Sequence, residues 1–245
     1  MKLQITYNRL IFIFIFHTLN LEAQIKHGLR DDQGRHIIPR GFVVNTNDHK
    51  GEVFFNSDDY MRMVRMGANT QVIRLELGKL SKFPGGQLET SYLKKLDSLV
   101  NFGKNSGIKT VFKMTVYGVD KFIWEEFWQN KNKEYDTYIE AWKVIWKRYK
   151  DESNVIGYDV VNEPRKLSMD ISYNDLTNQY LIPLYQKIID ESREINPDKK
   201  ILFQSIFMNK GEGIDNNQYA EITSPLNRKN IIFAPHIYQN NIDFI

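Results

Sequence analysis

The sequence has no cysteine. That excludes a disulfide scaffold, a thiolate metal site and a cysteine nucleophile. It also lacks an excess of either charge: 33 Lys and Arg face 30 Asp and Glu, leaving +3. The basic residues are spread along the chain, so a nucleic-acid patch is not indicated. The apolar run at residues 10–16 falls far short of the roughly 20 residues needed to span a bilayer. What is present is globular in kind. The 245 residues are 42% hydrophobic and 26% charged, enough for one large domain or two small ones. Disordered, collagen-like and coiled-coil classes are excluded by the same balance.

The first residues read as an address. Lys2 and Arg9 give a positive start, residues 10–16 run Leu-Ile-Phe-Ile-Phe-Ile-Phe, and Leu21-Glu22-Ala23 offers a small residue before Gln24. This is the layout of a secretory signal peptide over residues 1–23, cleaved after about Ala23. A buried β-strand is the alternative, and the basic flank and the Ala favour export. The expected location is secreted or periplasmic, and with no Cys following the run, a lipoprotein anchor is not expected. Residues 24–245 are then one domain.

Strands and helices alternate along that domain. Apolar or β-rich runs lie at residues 37–44, 70–75, 108–116, 155–161, 201–207 and 231–235. Helical patterns lie between them, at 57–66, 90–105, 136–149 and 174–195, and a short helix is expected at 218–222. Apolar strands alternating with helices predict a parallel sheet with helices outside it. Each unit takes about 40 residues, and a (β/α)8 barrel needs about 250 or more. The expectation is therefore an incomplete (β/α)8 barrel, truncated after strand six. Such an open piece would expose two apolar sheet edges and aggregate.

In a parallel barrel the chemistry sits at the C-terminal ends of the strands. Unusual residues collect there. The first strand leads into Asn45-Thr46-Asn47-Asp48, the second carries Arg74 and Glu76, the fourth ends in Asn162-Glu163-Pro164, and the sixth ends in His236-Ile237-Tyr238. A strand reading Val-Ile-Gly-Tyr-Asp-Val-Val has no structural need of a carboxylic acid at its end. Pro164 removes a backbone donor and stops the ladder. Glu163 is thus a carboxyl group facing the barrel mouth, where partial burial would raise its pKa and suit it to general acid work. The alternative is a solvated Glu in a strand-ending turn. Arg74 lies in an apolar strand, where an unpaired guanidinium is costly, so it wants a carboxylate such as Glu76 or Asp159. A structural ion pair would satisfy it equally well.

Gly157-Tyr158-Asp159-Val160-Val161-Asn162-Glu163-Pro164 resembles the fourth-strand motif of the cellulase-type glycoside hydrolases, family five of the retaining (β/α)8 clan. Three further stretches are similar to the same family. They are Pro39-Arg40-Gly41-Phe42-Val43-Val44-Asn45, Ala68-Asn69-Thr70-Gln71-Val72-Ile73-Arg74-Leu75 and Ala234-Pro235-His236-Ile237-Tyr238. The resemblance implies Glu163 as the acid/base and Asn162 as the partner of a sugar 2-hydroxyl. It implies Arg74 beneath the nucleophilic carboxylate, and His236 and Tyr238 lining the cleavage subsite. It also implies a secreted endo-β-glycosidase acting on an oligo- or polysaccharide, with no cofactor and no metal. Two departures bear on the sugar subsites. The third strand, Val111-Phe112-Lys113-Met114-Thr115-Val116-Tyr117, lacks the family's histidine, and the fifth lacks a tryptophan near its end.

Trp124 and Trp128, at i, i+4 with Phe127 between, could stack on sugar, but the spacing favours packing. Trp142 and Trp146 read as helix-to-barrel packing. Asn47, Asp48 and His49 fit no strong ligand pattern and read as a loop.

A retaining glycosidase needs two carboxyl groups roughly 5–5.5 Å apart. Asp159, four residues before Glu163 on one strand, would lie roughly 13 Å away at about 3.3 Å per residue. Glu76 is expected to pair with Arg74 or point outward, and Glu212 has no rigid support. The family's nucleophile is a glutamate after strand seven, so it is expected beyond Ile245, and these 245 residues alone are expected not to turn over substrate. Two rivals share the scaffold: a noncatalytic sugar-binding protein, and a phosphate-binding isomerase with Gly-rich loops after strands seven and eight.

Overall fold

The computed structural model describes residues 28–31, 33–48, 51–82, 86–116, 123–166, 169–208, 218–224 and 226–236. The expected signal segment, His49, Glu212 and Tyr238 lie outside the described residues.

Ten strands and six α-helices occur among the described residues. β1 (Gly41–Asn45) is followed by a two-residue hairpin pair, β2 (Asn47–Asp48) and β3 (Gly51–Glu52), then α1 (Ser57–Arg65). β4 (Thr70–Leu75), α2 (Thr90–Asn105) and β5 (Lys109–Met114) follow. α3 (Trp124–Gln129) and α4 (Glu134–Tyr149) lead to β6 (Val155–Asp159). A continuous helical rod then runs through α5 (Tyr173–Asp175), a π-helical turn (Leu176–Leu181) and α6 (Ile182–Arg193). β7 (Lys200–Phe203), β8 (Phe207–Met208), β9 (Gln218–Tyr219) and β10 (Ile231–Phe233) complete the order. Six strands form one parallel sheet in the order β1-β4-β5-β6-β7-β10. This is the repeat of a (β/α)8 barrel with six of its strands.

Local chemistry explains the boundaries. α1 begins at a capping box: the Asn56 side chain accepts from the N–H groups of Asp58 and Asp59, and Asp59 returns a bond to the Asn56 N–H. The cap is therefore Asn56, just ahead of the helical pattern expected from residue 57. α2 stops before Gly107, whose φ of +71° is left-handed and costs glycine nothing. Within the long rod, Pro183 has no N–H for a preceding carbonyl. The backbone instead bonds from Ile182 N–H to Thr177 O, five residues back, and a π turn results.

Residues 218–222 are not a helix. Gln218–Tyr219 pairs antiparallel with Phe207–Met208. Ser205 Oγ donates to Ala220 O at 2.6 Å, and Ala220 N–H donates to Ile206 O at 2.9 Å. These long-range bonds override a weak local helical pattern too short to nucleate alone.

The sheet buries both faces unequally. Val44, Ile73, Leu75, Phe112, Met114 and Tyr158 pack against the helices in the main core. The opposite face holds a smaller cluster of Leu29, Val111 and Ile156 with Val72, Leu202 and Ile232. Trp124, Trp128, Trp142 and Trp146 all belong to the helix-side core. β1 and β10 are the edge strands, and Val43 and Phe233 on them are half exposed.

Candidate active site

Strand register builds the site. Asn45, Arg74, Lys113, Asp159 and Leu202 pair across β1, β4, β5, β6 and β7 in one row. Four of the five are polar, so the last layer of the small inner face becomes a charged floor near the strand ends. Neighbouring strands stand about 4.8 Å apart, so these side chains feel one another. Burial holds the Lys113 ammonium below its usual range, and the nearby Arg74 charge adds to this while Asp159 and Glu163 oppose it.

β6 ends at Asp159, and the chain beyond it is held individually. Val160 N–H donates to Leu202 O, and Asn162 N–H donates to Met114 O at 2.8 Å. Thr115 Oγ1 donates to Asn162 O at 2.9 Å. Glu163 then turns with φ +49°, left-handed for a residue that carries a Cβ and precedes a proline. That conformation costs on the order of 1–3 kcal/mol and persists only where the surroundings impose it.

The turn carries the Glu163 carboxyl to His236 at the end of the β10 extension. His236 Nδ1 lies 2.9 Å from Glu163 Oε1, while its Nε2 lies 3.9 Å from Asp159 Oδ2. One imidazole thus reaches both carboxylates. The straight-strand separation of roughly 13 Å expected for Asp159 and Glu163 does not hold, because the strand stops at Asp159 and the backbone turns at Glu163. Asp159 is 4% exposed. Burial pushes its carboxyl up to about 6, and the charge of His236, a hydrogen bond from Gln204 and the charge of Lys113 hold it from going higher.

Gln204 ties the group together. Its Nε2 donates to both Asp159 oxygens, at 3.1 and 3.0 Å, and stands 3.4 Å from His236 Nε2. Its Oε1 accepts the Glu163 backbone N–H at 3.3 Å. Tyr185, buried on α6, receives the Gln204 N–H at 3.0 Å and donates toward Val161 O at 3.4 Å. Tyr219 on β9 donates to His236 O at 2.8 Å and accepts the His236 N–H. The β8–β9 hairpin therefore clamps the backbone of His236. Trp128 Nε1 donates to Arg165 O at 2.7 Å, and an Arg165 nitrogen stands 3.9 Å from Glu163 Oε2. Trp124 and Trp128 are 0% and 1% exposed and stack on one another, so neither offers a face to a sugar.

The expected residues are distributed as follows. Glu163 and His236 are brought together. Asn162 lies beside them, 5% exposed, and its buried Oδ1 has no hydrogen-bond partner among the described residues. Arg74 sits one strand from Lys113 and two from Asp159 in the charged row. Glu76 is drawn toward β2 rather than outward: Thr46 Oγ1 donates to it at 2.5 Å, Asn47 Nδ2 at 2.6 Å, and Lys79 stands 3.8 Å away. Gln204, Tyr219 and Arg165 are the residues sequence reasoning missed. Among the described residues no group of three His, Asp or Glu side chains is arranged to hold a metal, and no helix is long and apolar enough to cross a membrane.

A carboxyl group at the end of one strand and an imidazole at the end of another, on a parallel sheet with helices outside it, is the layout of a (β/α)8-barrel active site. The chain belongs to the cellulase family, glycosyl hydrolase family 5, whose model matches residues 33–244. No curated protein matches the chain. Among solved structures, an endogalactoceramidase is similar with TM-score 0.72 and 18% identity, over 89% of this chain and 60% of that one. Endo-glycoceramidase II from Rhodococcus sp., in its lactosyl-enzyme intermediate, follows with TM-score 0.69, 19% identity and coverage of 86% and 59%. Endoglucanase Cel5A from the hyperthermophilic Thermotoga maritima gives TM-score 0.59, 18% identity and coverage of 81% and 60%. The chain spans about three fifths of the length of each of these structures.

Proposed function

We propose that the protein is a secreted retaining endo-β-glycosidase that cleaves a β-linked glycan of glucan or mannan type by double displacement. Glu163 protonates the departing glycosidic oxygen, then takes a proton from the water that releases the sugar. The observation that carries this reading is the strained placement of Glu163. A left-handed glutamate before a proline is retained at a cost, and what it achieves is a carboxyl group 2.9 Å from His236 at the strand ends. Asn162 holds the sugar hydroxyl in this reading, supported by an Oδ1 that has no hydrogen-bond partner among the described residues. Arg74 and Lys113 supply positive charge to the floor, which favours ionised carboxylates above it. Tyr238 keeps its role beside His236 in this reading.

Double displacement needs a second carboxylate about 5–5.5 Å from the first. Asp159 is buried and held by Gln204, and Glu76 is held by Thr46 and Asn47. The reading therefore takes the nucleophile from outside the described residues. The solved neighbours are named for galactoceramide, glycoceramide and glucan, and this chain's substrate is taken from the same β-glycoside chemistry. Export rests on the basic start, the apolar run at residues 10–16 and Ala23.

The test is hydrolysis of β-glucan, β-mannan and aryl β-glycosides by the 245-residue chain and by the gene product containing it. Wherever activity is found, Glu163→Gln is expected to lower it about 10²–10⁴-fold on natural linkages. Activity untouched by that substitution overturns the assignment.

A further inference from the structure

The amide of Gln204 has one orientation open to it. Its Oε1 faces the backbone N–H of Glu163, which can only donate. Its Nε2 faces both oxygens of Asp159, which can only accept when ionised. The residue is fully buried, so no water substitutes for either partner. Flipping the amide would set carbonyl against carboxylate and N–H against N–H. The orientation is thus determined by neighbours whose polarity is not in doubt.

That orientation settles the next ring. Gln204 Nε2, which can only donate, stands 3.4 Å from His236 Nε2. The bond is long, but its polarity matters more than its strength, since an N–H on the ring nitrogen would oppose the amide N–H. Asp159 Oδ2, a carboxylate oxygen that could accept such a proton, is 3.9 Å away and beyond hydrogen-bond range. The proton of the neutral ring therefore belongs on Nδ1, 2.9 Å from Glu163 Oε1.

We propose that Gln204 is a positioning residue that locks His236 in its Nδ1–H tautomer and so makes the ring a standing donor to Glu163 Oε1. The tautomer follows from hydrogen-bond polarity alone. Its consequence for catalysis rests on Glu163 being the acid/base. A fixed donor at Oε1 holds the carboxyl group in one orientation through both proton transfers. The polarity loop closes on one residue: the backbone N–H of Glu163 orients Gln204, Gln204 orients His236, and His236 donates to Glu163 Oε1.

The experiment is long-range ¹H–¹⁵N correlation of the histidine rings at pH 8, above the titration of Asp159. The His236 signals are assigned by their loss in His236→Gln. The expected wild-type pattern is a protonated, pyrrole-type Nδ1 and an unprotonated, pyridine-type Nε2. Neutral histidine in water prefers the opposite. In Gln204→Leu the donor is gone, and the ring is expected to revert toward Nε2–H. A wild-type ring already in the Nε2–H form overturns the lock, as does a Gln204→Leu protein that folds and keeps Nδ1–H. If that variant does not fold, the wild-type spectrum decides alone. The readout needs neither sugar nor turnover. An Nε2–H ring in an active protein sinks the lock and spares the glycosidase reading, while an Nδ1–H ring in a protein without hydrolysis does the reverse.

Discussion

Gln204 Nε2 lies 3.1 and 3.0 Å from the two carboxylate oxygens of Asp159, at a point where Asp159 is 4% exposed. A neutral amide softens the burial of a charge without cancelling it, and the Asp159 carboxyl stays up at about 6 against an ordinary 3.8. The sign of the stability effect follows. Between those values the folded state holds a proton that the unfolded state has released, so Asp159 lowers stability as pH rises through the window. Below about 4 the penalty is absent, and above about 6 it is complete, at up to roughly 3 kcal/mol for a shift of about two units. Other carboxylates that are held ionised, such as Asp97 beside Arg148, trend the opposite way. The clean measurement is therefore a difference. Urea unfolding of wild type and Asp159→Asn from pH 4 to pH 7 should show the wild type losing ground by about 2–3 kcal/mol as pH rises. A constant difference would mean that Asp159 is not buried as a charge.

Glu163→Gln separates proton transfer from bond cleavage. Gln keeps the shape of the side chain and its place beside His236 but cannot deliver a proton. Substrates with poor leaving groups, such as a natural glycan, need that proton and should slow about 10²–10⁴-fold. Aryl glycosides with acidic phenols leave unaided, so their first step should slow far less. The check is initial rates across a series of phenols. A loss independent of leaving-group acidity would show that Glu163 acts on something other than the departing oxygen.

Much of this arrangement could be read before any fold was known, and each miss has its own physical cause. Thr70–Leu75 and Thr90–Asn105 match the expected bounds because their patterns are local and strong. Glu163 stood out as a polar residue at the end of an apolar strand. Gln204 carried the same signal, following Ile201-Leu202-Phe203, but a neutral amide suggests no chemistry by itself. Tyr219 carried no signal, because its contact with His236 exists only once β8 and β9 pair. The closeness of Asp159 and Glu163 was hidden for a different reason. Counting residues along a strand assumes that the strand continues, and a left-handed turn at a glutamate is not written in its side chain.

Tyr138 tests how the helices steady the strand ends. Its hydroxyl, fully buried on α4, lies 3.0 Å from Met114 O and 2.9 Å from Val160 O. Trp142 Nε1 also donates to Val160 O, at 3.0 Å. Val160 O and Met114 O therefore each keep one donor if the Tyr138 hydroxyl is lost, Trp142 Nε1–H and the Asn162 N–H. Tyr138→Phe should cost about 0.5–1.5 kcal/mol, the net worth of a hydrogen bond whose acceptors keep another donor. Trp142→Phe, which leaves Val160 O with the Tyr138 hydroxyl but opens space in the core, should cost a similar amount or more. Denaturant midpoints of both variants check this. A Tyr138→Phe protein as stable as wild type would show that the hydroxyl contributes no net bond.

Gly103 sets helix propensity against packing. It lies near the end of α2, where Gly→Ala ordinarily stabilises by about 0.5–1 kcal/mol. Here a Cβ would stand 2.4 Å from Gln71 Nε2 and 2.9 Å from Ile108 O. Gln71 cannot easily give way. It is fully buried, accepts from Tyr60 Oη at 2.6 Å, and donates to Leu99 O and Thr110 Oγ1 at 3.0 Å each. Ile108 O is backbone, and it also accepts from Asn154 Nδ2 at 2.9 Å. Moving either contact breaks bonds that link α1, α2, β4 and β5. Overpacking of this kind costs typically 1–3 kcal/mol, which exceeds the propensity gain. Gly103→Ala should therefore destabilise the fold by about 1–2 kcal/mol net. The equivalent change at an exposed helical position, Asn101→Ala, should raise stability slightly, since alanine is the better helix former. Thermal or urea unfolding of the pair decides the matter: a stabilised Gly103→Ala would mean that the α2–β4 contact is looser than these distances.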